Sequence, residues 1–153
     1  MGLRPLSSIK KIILHCSDSD FGDVALIDSW HKARGWTGCG YHYVITNGVT
    51  DHGKPFNPKM DGIIQQGRQL REIGAHCADQ NLDSVGICLI GRHHFTALQL
   101  YSALPTVVHI LGEFGLTWDN VYGHYEFNSG KTCPNMDMKM VRAAMYGKSR
   151  IKP

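Results

Sequence analysis

Five residues have side chains that could do chemistry together: His15, Tyr41, His124, Lys131 and Cys133. A catalytic zinc ion needs three protein ligands and one open position for water. His15, His124 and Cys133 can supply two neutral imidazoles and one thiolate. The cation would then lower the pKa of its water from 15.7 towards about 7. A thiolate softens that acidity relative to three imidazoles, so neighbouring groups must help. Lys131, two positions before the thiol, could steady the oxyanion formed when a carbonyl is attacked. The Tyr41 hydroxyl could orient the water or relay its proton. Each residue also has a plainer reading. A strand-end histidine is commonly a surface or core residue, a cysteine beside proline is commonly structural, a single lysine is commonly solvated, and tyrosines pack at strand starts. No convincing pair of carboxylates for glycoside chemistry is present.

The elements that must carry these groups alternate loosely between strand and helix. Ile9 to Cys16 is apolar on both faces and predicts a strand with His15 at its C-terminal end, before the polar run of residues 17–20. Leu26, Ile27, Trp30 and Ala33 are spaced as a helix over 24–34 that stops at Gly35. Tyr41 to Thr46 alternates as a second strand, with a turn at Asn47-Gly48. Residues 49–61, with Gly53, Pro55 and Pro58, read as an irregular loop, and Ile63 to Gly67 as a short strand. Residues 69–81 are a loop containing Gly74-Ala75-His76. Val85 to Ile90 predicts a central strand covered on both sides. Thr96 is placed to cap a helix reaching about Phe114, with Pro105 as a kink or break. Val121 to Gly123 is a last short strand, and Asp137 to Tyr146 a closing helix. The expected class is α/β, one domain with a central sheet flanked by helices. Its expected limits are an N-terminal segment 1–10, a domain 11–147 and a basic tail 148–153. Arg68, Trp30, His31 and Trp36 read as structural; His93, His94 and His109 read as surface or helix residues.

Composition narrows the function classes. The chain has 153 residues, 42% of them hydrophobic and 19% charged, values of a globular protein with a real core. A net charge of +3 would help approach to an anionic wall polymer but is too small and scattered to argue for nucleic acid. No apolar run suits membrane insertion, and residues 1–10 lack the apolar core of a secretory signal, so synthesis in a cytoplasm is expected. Five cysteines at irregular spacing, without a C-x-x-C pair, favour reduced thiols over a disulfide framework.

The motifs I-I-L-H-C-S (12–17), I-D-S-W-H-K-A-R-G-W (27–36), G-Y-H-Y-V-I (40–45), D-G-I-I-Q-Q-G-R (61–68), G-A-H (74–76), S-V-G-I-C-L-I-G (84–91), G-H-Y-E (123–126) and K-T-C-P (131–134) follow one another in a familiar order. Together they resemble the zinc-dependent N-acetylmuramoyl-L-alanine amidases of the phage lysozyme and peptidoglycan-recognition superfamily, over nearly the whole chain. The resemblance implies a mixed sheet flanked by helices, with one zinc ion in a surface groove on His15, His124 and Cys133. It places the catalytic tyrosine on Tyr41 and the catalytic lysine on Lys131, and lets His76 line the groove as a substrate contact. It implies peptidoglycan as substrate and partner, a monomer, and a phage endolysin waiting in the host cytoplasm until a separate permeabilising protein releases it. Some short phage relatives also inhibit the phage RNA polymerase, a possible further partner; a non-catalytic peptidoglycan-binding module is the alternative reading. Two departures stand out: residues 47–62 are longer than the usual tight turn, and the loop from His124 to Cys133 is about one residue longer.

Overall fold

The two most enclosed strands lie at the middle of the sheet. In the computed structural model, which describes residues 2–149, Lys11–Cys16 (β1) and Ser84–Leu89 (β4) run parallel, from Lys11 opposite Ser84 to Cys16 opposite Leu89. Every residue of both except Lys11 is buried. A continuous apolar sequence is what a parallel strand covered on both faces requires. Tyr43–Asn47 (β2) lies parallel to β4 on its other side. Asp61–Gln66 (β3) closes that edge antiparallel to β2, and Val121–Gly123 (β5) pairs parallel with β1. The order is β3-β2-β4-β1-β5, a mixed sheet.

Each face has its own cover. Val24–Ala33 (α1) packs on one face, where Ile27, Val44, Cys88 and Ile90 form a small core. Ala97–Phe114 (α2) and Met138–Ser149 (α3) cover the other, over Ile12, Leu14, Ile45, Val85, Ile87 and Val121. Side chains alternate along a strand, so with Ile12 and Leu14 under α2 and α3, His15 faces the α1 side. That alternation decides which layer holds the chemistry.

Local signals explain the helix limits. Asp23 caps α1 by accepting the Leu26 N–H at 2.8 Å. Thr96 caps α2 in a reciprocal box with Gln99. The buried Gln99 amide then donates to the carbonyls of Ile45 and Ile90, tying α2 to the ends of β2 and β4. α2 runs unbroken through Pro105. Pro105 is exposed, so the carbonyl that loses its partner lies on the side where water can replace it.

Arg4 and the C-terminal turn of α3 join this packing. Arg4 is 3% exposed, and its guanidinium donates to the carbonyls of Leu70, Leu82 and Ser84. α3 includes Lys148 and Ser149; Arg150 and Lys152 of the expected tail lie outside the described residues. All five cysteines are free thiols. Among the described residues, no helix is long and apolar enough to cross a membrane.

Candidate metal centre

The ends of β1 and β5 bring two histidines together. Leu14 pairs with Gly123, so the next residue on each strand, His15 and His124, emerges beside the other with ring centroids 4.7 Å apart. Ligand sites at the carboxyl ends of parallel strands are a general property of such sheets. After β5 the chain makes a single 3-10 turn, His124–Glu126. The Glu126 carboxylate accepts the Gly123 N–H at 3.0 Å and is gripped by Arg142 of α3 at 2.7 and 3.2 Å. A side chain at Gly123 has no room: its Cβ would lie 2.7 Å from Met138 Cγ and 2.9 Å from Pro134 Cδ.

The following loop folds back over the strand ends. Tyr125 N–H donates to the Cys133 carbonyl at 3.0 Å, and Cys16 N–H donates to the Cys133 sulfur at 3.1 Å. One ligand atom from each of His15, His124 and Cys133 lies within 4.8 Å of the others. A tetrahedral site with metal–nitrogen bonds of about 2.0–2.1 Å and a metal–sulfur bond of about 2.3 Å separates its ligand atoms by roughly 3.4–3.6 Å. The donor types and spacing therefore fit a metal ion.

Burial sets the protonation of the group. His15 is 1% exposed, whereas His124 and Cys133 are half-buried, so the cluster opens to solvent on one side. Burial, with His124 beside it, holds the His15 imidazole well below its usual pKa. His124 is lowered by burial and by the Lys131 ammonium. Both rings are thus neutral near pH 7, as metal ligands must be. The neighbouring Cys133 thiol lowers Cys16 to about 7, while the Cys16 thiol and burial raise Cys133.

Tyr41 lies just before β2, which starts at Tyr43 and not at Tyr41 as the alternation predicts. The preceding stretch is held by irregular bonds: Gly40 N–H donates to His31 Nδ1 at 2.9 Å, Arg68 Nε to the Cys39 carbonyl at 2.9 Å, and Arg68 N–H to the Tyr41 carbonyl at 2.9 Å. These set the Tyr41 ring 5.1 Å from that of His15 and 5.6 Å from that of His31. Burial, then the nearby Cys88 and Cys133 thiols, raises the Tyr41 hydroxyl well above the usual phenol range, so it stays a neutral donor. His31 and Arg68, structural in type from the sequence, are what fix this loop. Lys131 is exposed on the loop before Cys133, its N–H donating to the Asn128 carbonyl at 3.0 Å.

His76, which the resemblance lets line the groove, lies against the His15 ring. It is 8% exposed and sits behind His15, with Nδ1 2.9 Å from His15 Nε2 and Nε2 3.3 Å from Ser84 Oγ. Two open depressions border α1. One of about 360 Å³ is bordered by Asp23, Leu26 and Ser29 with Thr50, Asp51 and Lys54 of the long loop. The other, of about 380 Å³, is bordered by Asp28, Thr37, Cys39, Gln66, Arg68 and Glu72.

Two imidazoles and a sulfur at the ends of parallel strands, with a tyrosine and a lysine beside them, define a candidate metal centre on a mixed α/β sheet. The chain belongs to the N-acetylmuramoyl-L-alanine amidase family, whose sequence profile matches residues 5–136, and is an amidase of peptidoglycan. It is 31% identical over 144 residues to the endolysin of Escherichia phage T7, covering 86% of this chain and 84% of the relative. To the endolysin of Enterobacteria phage T3 it is 29% identical over 147 residues, covering 89% and 87%. Its fold is similar to that of the N-acetylmuramoyl-L-alanine amidase LysC from Clostridium intestinale URNW, with a TM-score of 0.78 at 22% identity over 99% of this chain and 92% of the other.

Proposed function

We propose that the amide between N-acetylmuramic acid and L-alanine is cleaved at a zinc centre held by His15, His124 and Cys133, and that the protein works as an endolysin. The convergence of these three donors carries the reading. Imidazole and thiolate together suit zinc better than the hard cations magnesium and calcium. A complete donor set also favours an enzyme over a module that only binds the wall.

Zinc at this position would supply Lewis-acid and water-activating chemistry to an amide carbonyl. His15 and His124 offer neutral nitrogens, and Cys133 offers its sulfur as the thiolate that a cation stabilises. The Lys131 ammonium stands on the open side and steadies the negative charge that grows on the carbonyl oxygen during attack. Tyr41, neutral and half-buried, orients the attacking water or donates to the same oxygen. The products are the lactyl carboxylate on muramic acid and a free L-alanine amino terminus. In the endolysin role, supported by the likeness to phage endolysins, the protein reaches the wall from the host cytoplasm after a separate protein permeabilises the membrane.

Metal removal tests the reading. Treatment with a strong chelator should abolish release of L-alanine amino termini from purified peptidoglycan, and one equivalent of zinc should restore it. Undiminished release from metal-free protein would overturn it.

A further inference from the structure

Behind His15 lies a row of buried polar groups that the proposed reaction does not use. His15 Nε2 is 2.9 Å from His76 Nδ1. His76 Nε2 is 3.3 Å from Ser84 Oγ, and Ser84 Oγ donates to the main-chain carbonyl of Gln80 at 2.6 Å. His15, His76 and Ser84 are 1%, 8% and 0% exposed, so each group must find its partner inside the protein.

The direction of this row follows from its last member. A carbonyl only accepts, so the single hydroxyl proton of Ser84 goes to Gln80. Ser84 Oγ is then an acceptor towards His76, and His76 carries its proton on Nε2. The Nδ1 of His76 therefore accepts, and His15 donates from Nε2. That leaves the lone pair of His15 on Nδ1.

We propose that His76 is a positioning residue for His15: it fixes the ring and the tautomer that turn Nδ1 towards His124 and Cys133, with Gln80 setting the order through Ser84. The proposal rests on reading His15 as a ligand. Orienting partners of this kind commonly change metal affinity 10–100-fold. The fold makes room for such a partner. A Cβ at Gly74 would lie 2.5 Å from the His76 ring, and one at Gly86, inside β4, 2.6 Å from it. Glycine within a buried strand often marks a close approach of this sort. The ring is further anchored by its own main-chain N–H, which donates to Asn81 Oδ1 at 2.9 Å.

Two measurements test the assignment. Nitrogen-15 histidine spectra of the metal-free wild type should show His15 and His76 both protonated at Nε2; a proton on His76 Nδ1 would overturn the proposal without any variant. Competition with a chromophoric chelator should show zinc held 10–100-fold more weakly by His76→Leu. Zinc affinity should largely return in His76→Asn, whose amide oxygen can stand in for Nδ1. Equal zinc affinity in His76→Leu and wild type would also overturn it, as would equal losses in the Leu and Asn variants. A wild type that takes up no zinc refutes the ligand reading itself, while the metal-free spectra still decide the proton order.

Discussion

The main-chain N–H of Cys16 donates to the sulfur of Cys133 at 3.1 Å, across 117 positions of sequence. This bond closes the site: it fastens the loop after β5 to the end of β1, where His15 stands. Because the donor is a main-chain group, the Cys16 side chain is not needed for it.

Tyr41 and Lys131 lie outside the three-donor group, so their loss should leave zinc in place. Lys131→Met should lower the rate of amide hydrolysis about 10²–10³-fold, and Tyr41→Phe about 10²–10⁴-fold. Zinc content should stay at the wild-type level in both. Steady-state kinetics on soluble muropeptides, with metal analysis, would check this. Wild-type rates in either variant would remove that residue from the mechanism.

Gly123→Ala places a methyl group between Met138 and Pro134, at separations of 2.7 and 2.9 Å from their side-chain atoms. Overpacking of this kind costs about 1–3 kcal/mol. Denaturant unfolding should show that loss, and zinc affinity should fall with it because Pro134 follows Cys133. Unchanged unfolding midpoint and affinity would mean the contact relaxes freely.

His42 gives a pH dependence of stability. It is buried, its Nδ1 accepting the Gly86 N–H at 3.0 Å and its Nε2 donating to the Glu72 carbonyl at 2.9 Å. A second proton would have to sit on Nδ1 against that N–H, and burial lowers the pKa from 6.5 to about 4. Between these values the unfolded chain binds more protons, so the stabilisation is full above about pH 6.5 and is lost as pH falls towards 4. The difference corresponds to at most about 3 kcal/mol. Zinc-free wild type should therefore lose more stability between about pH 7 and pH 4 than His42→Asn, which cannot titrate. Parallel profiles would contradict this.

Arg4 bears on where the folding unit begins. Removing its guanidinium strands the carbonyls of Leu70, Leu82 and Ser84. Arg4→Met should cost about 3 kcal/mol, and a chain starting at Lys11 should unfold at markedly lower denaturant. An unchanged midpoint for the shortened chain would place the boundary after residue 10.

The strands were legible where burial was symmetric. β1 and β4 are apolar on both faces, and Thr96 marks the start of α2 in the sequence itself. His15, His124 and Cys133 were legible as residue types at strand and loop ends, with the order of motifs adding weight. The start of β2 was not, because Tyr41 and His42 alternate like strand residues but are bonded to Gly86, Gly67 and Arg68 in an irregular pattern. Arg4 could not be read as buried, since its partners are main-chain carbonyls 66 to 80 positions away. His76 was recognisable as a chemical residue but not as a partner of His15, which lies 61 positions from it. The signal that could have found it was glycine at 74 and 86, inside otherwise well-filled segments.

The most direct test is digestion of purified peptidoglycan by wild type, Cys133→Ala and Cys16→Ala, with zinc measured on each. Wild type should hold one zinc per chain and release L-alanine amino termini without new sugar reducing ends. Cys133→Ala should lose zinc and activity together, while Cys16→Ala, which keeps its main-chain N–H, should retain both. Full activity in a zinc-free Cys133→Ala protein would contradict the account.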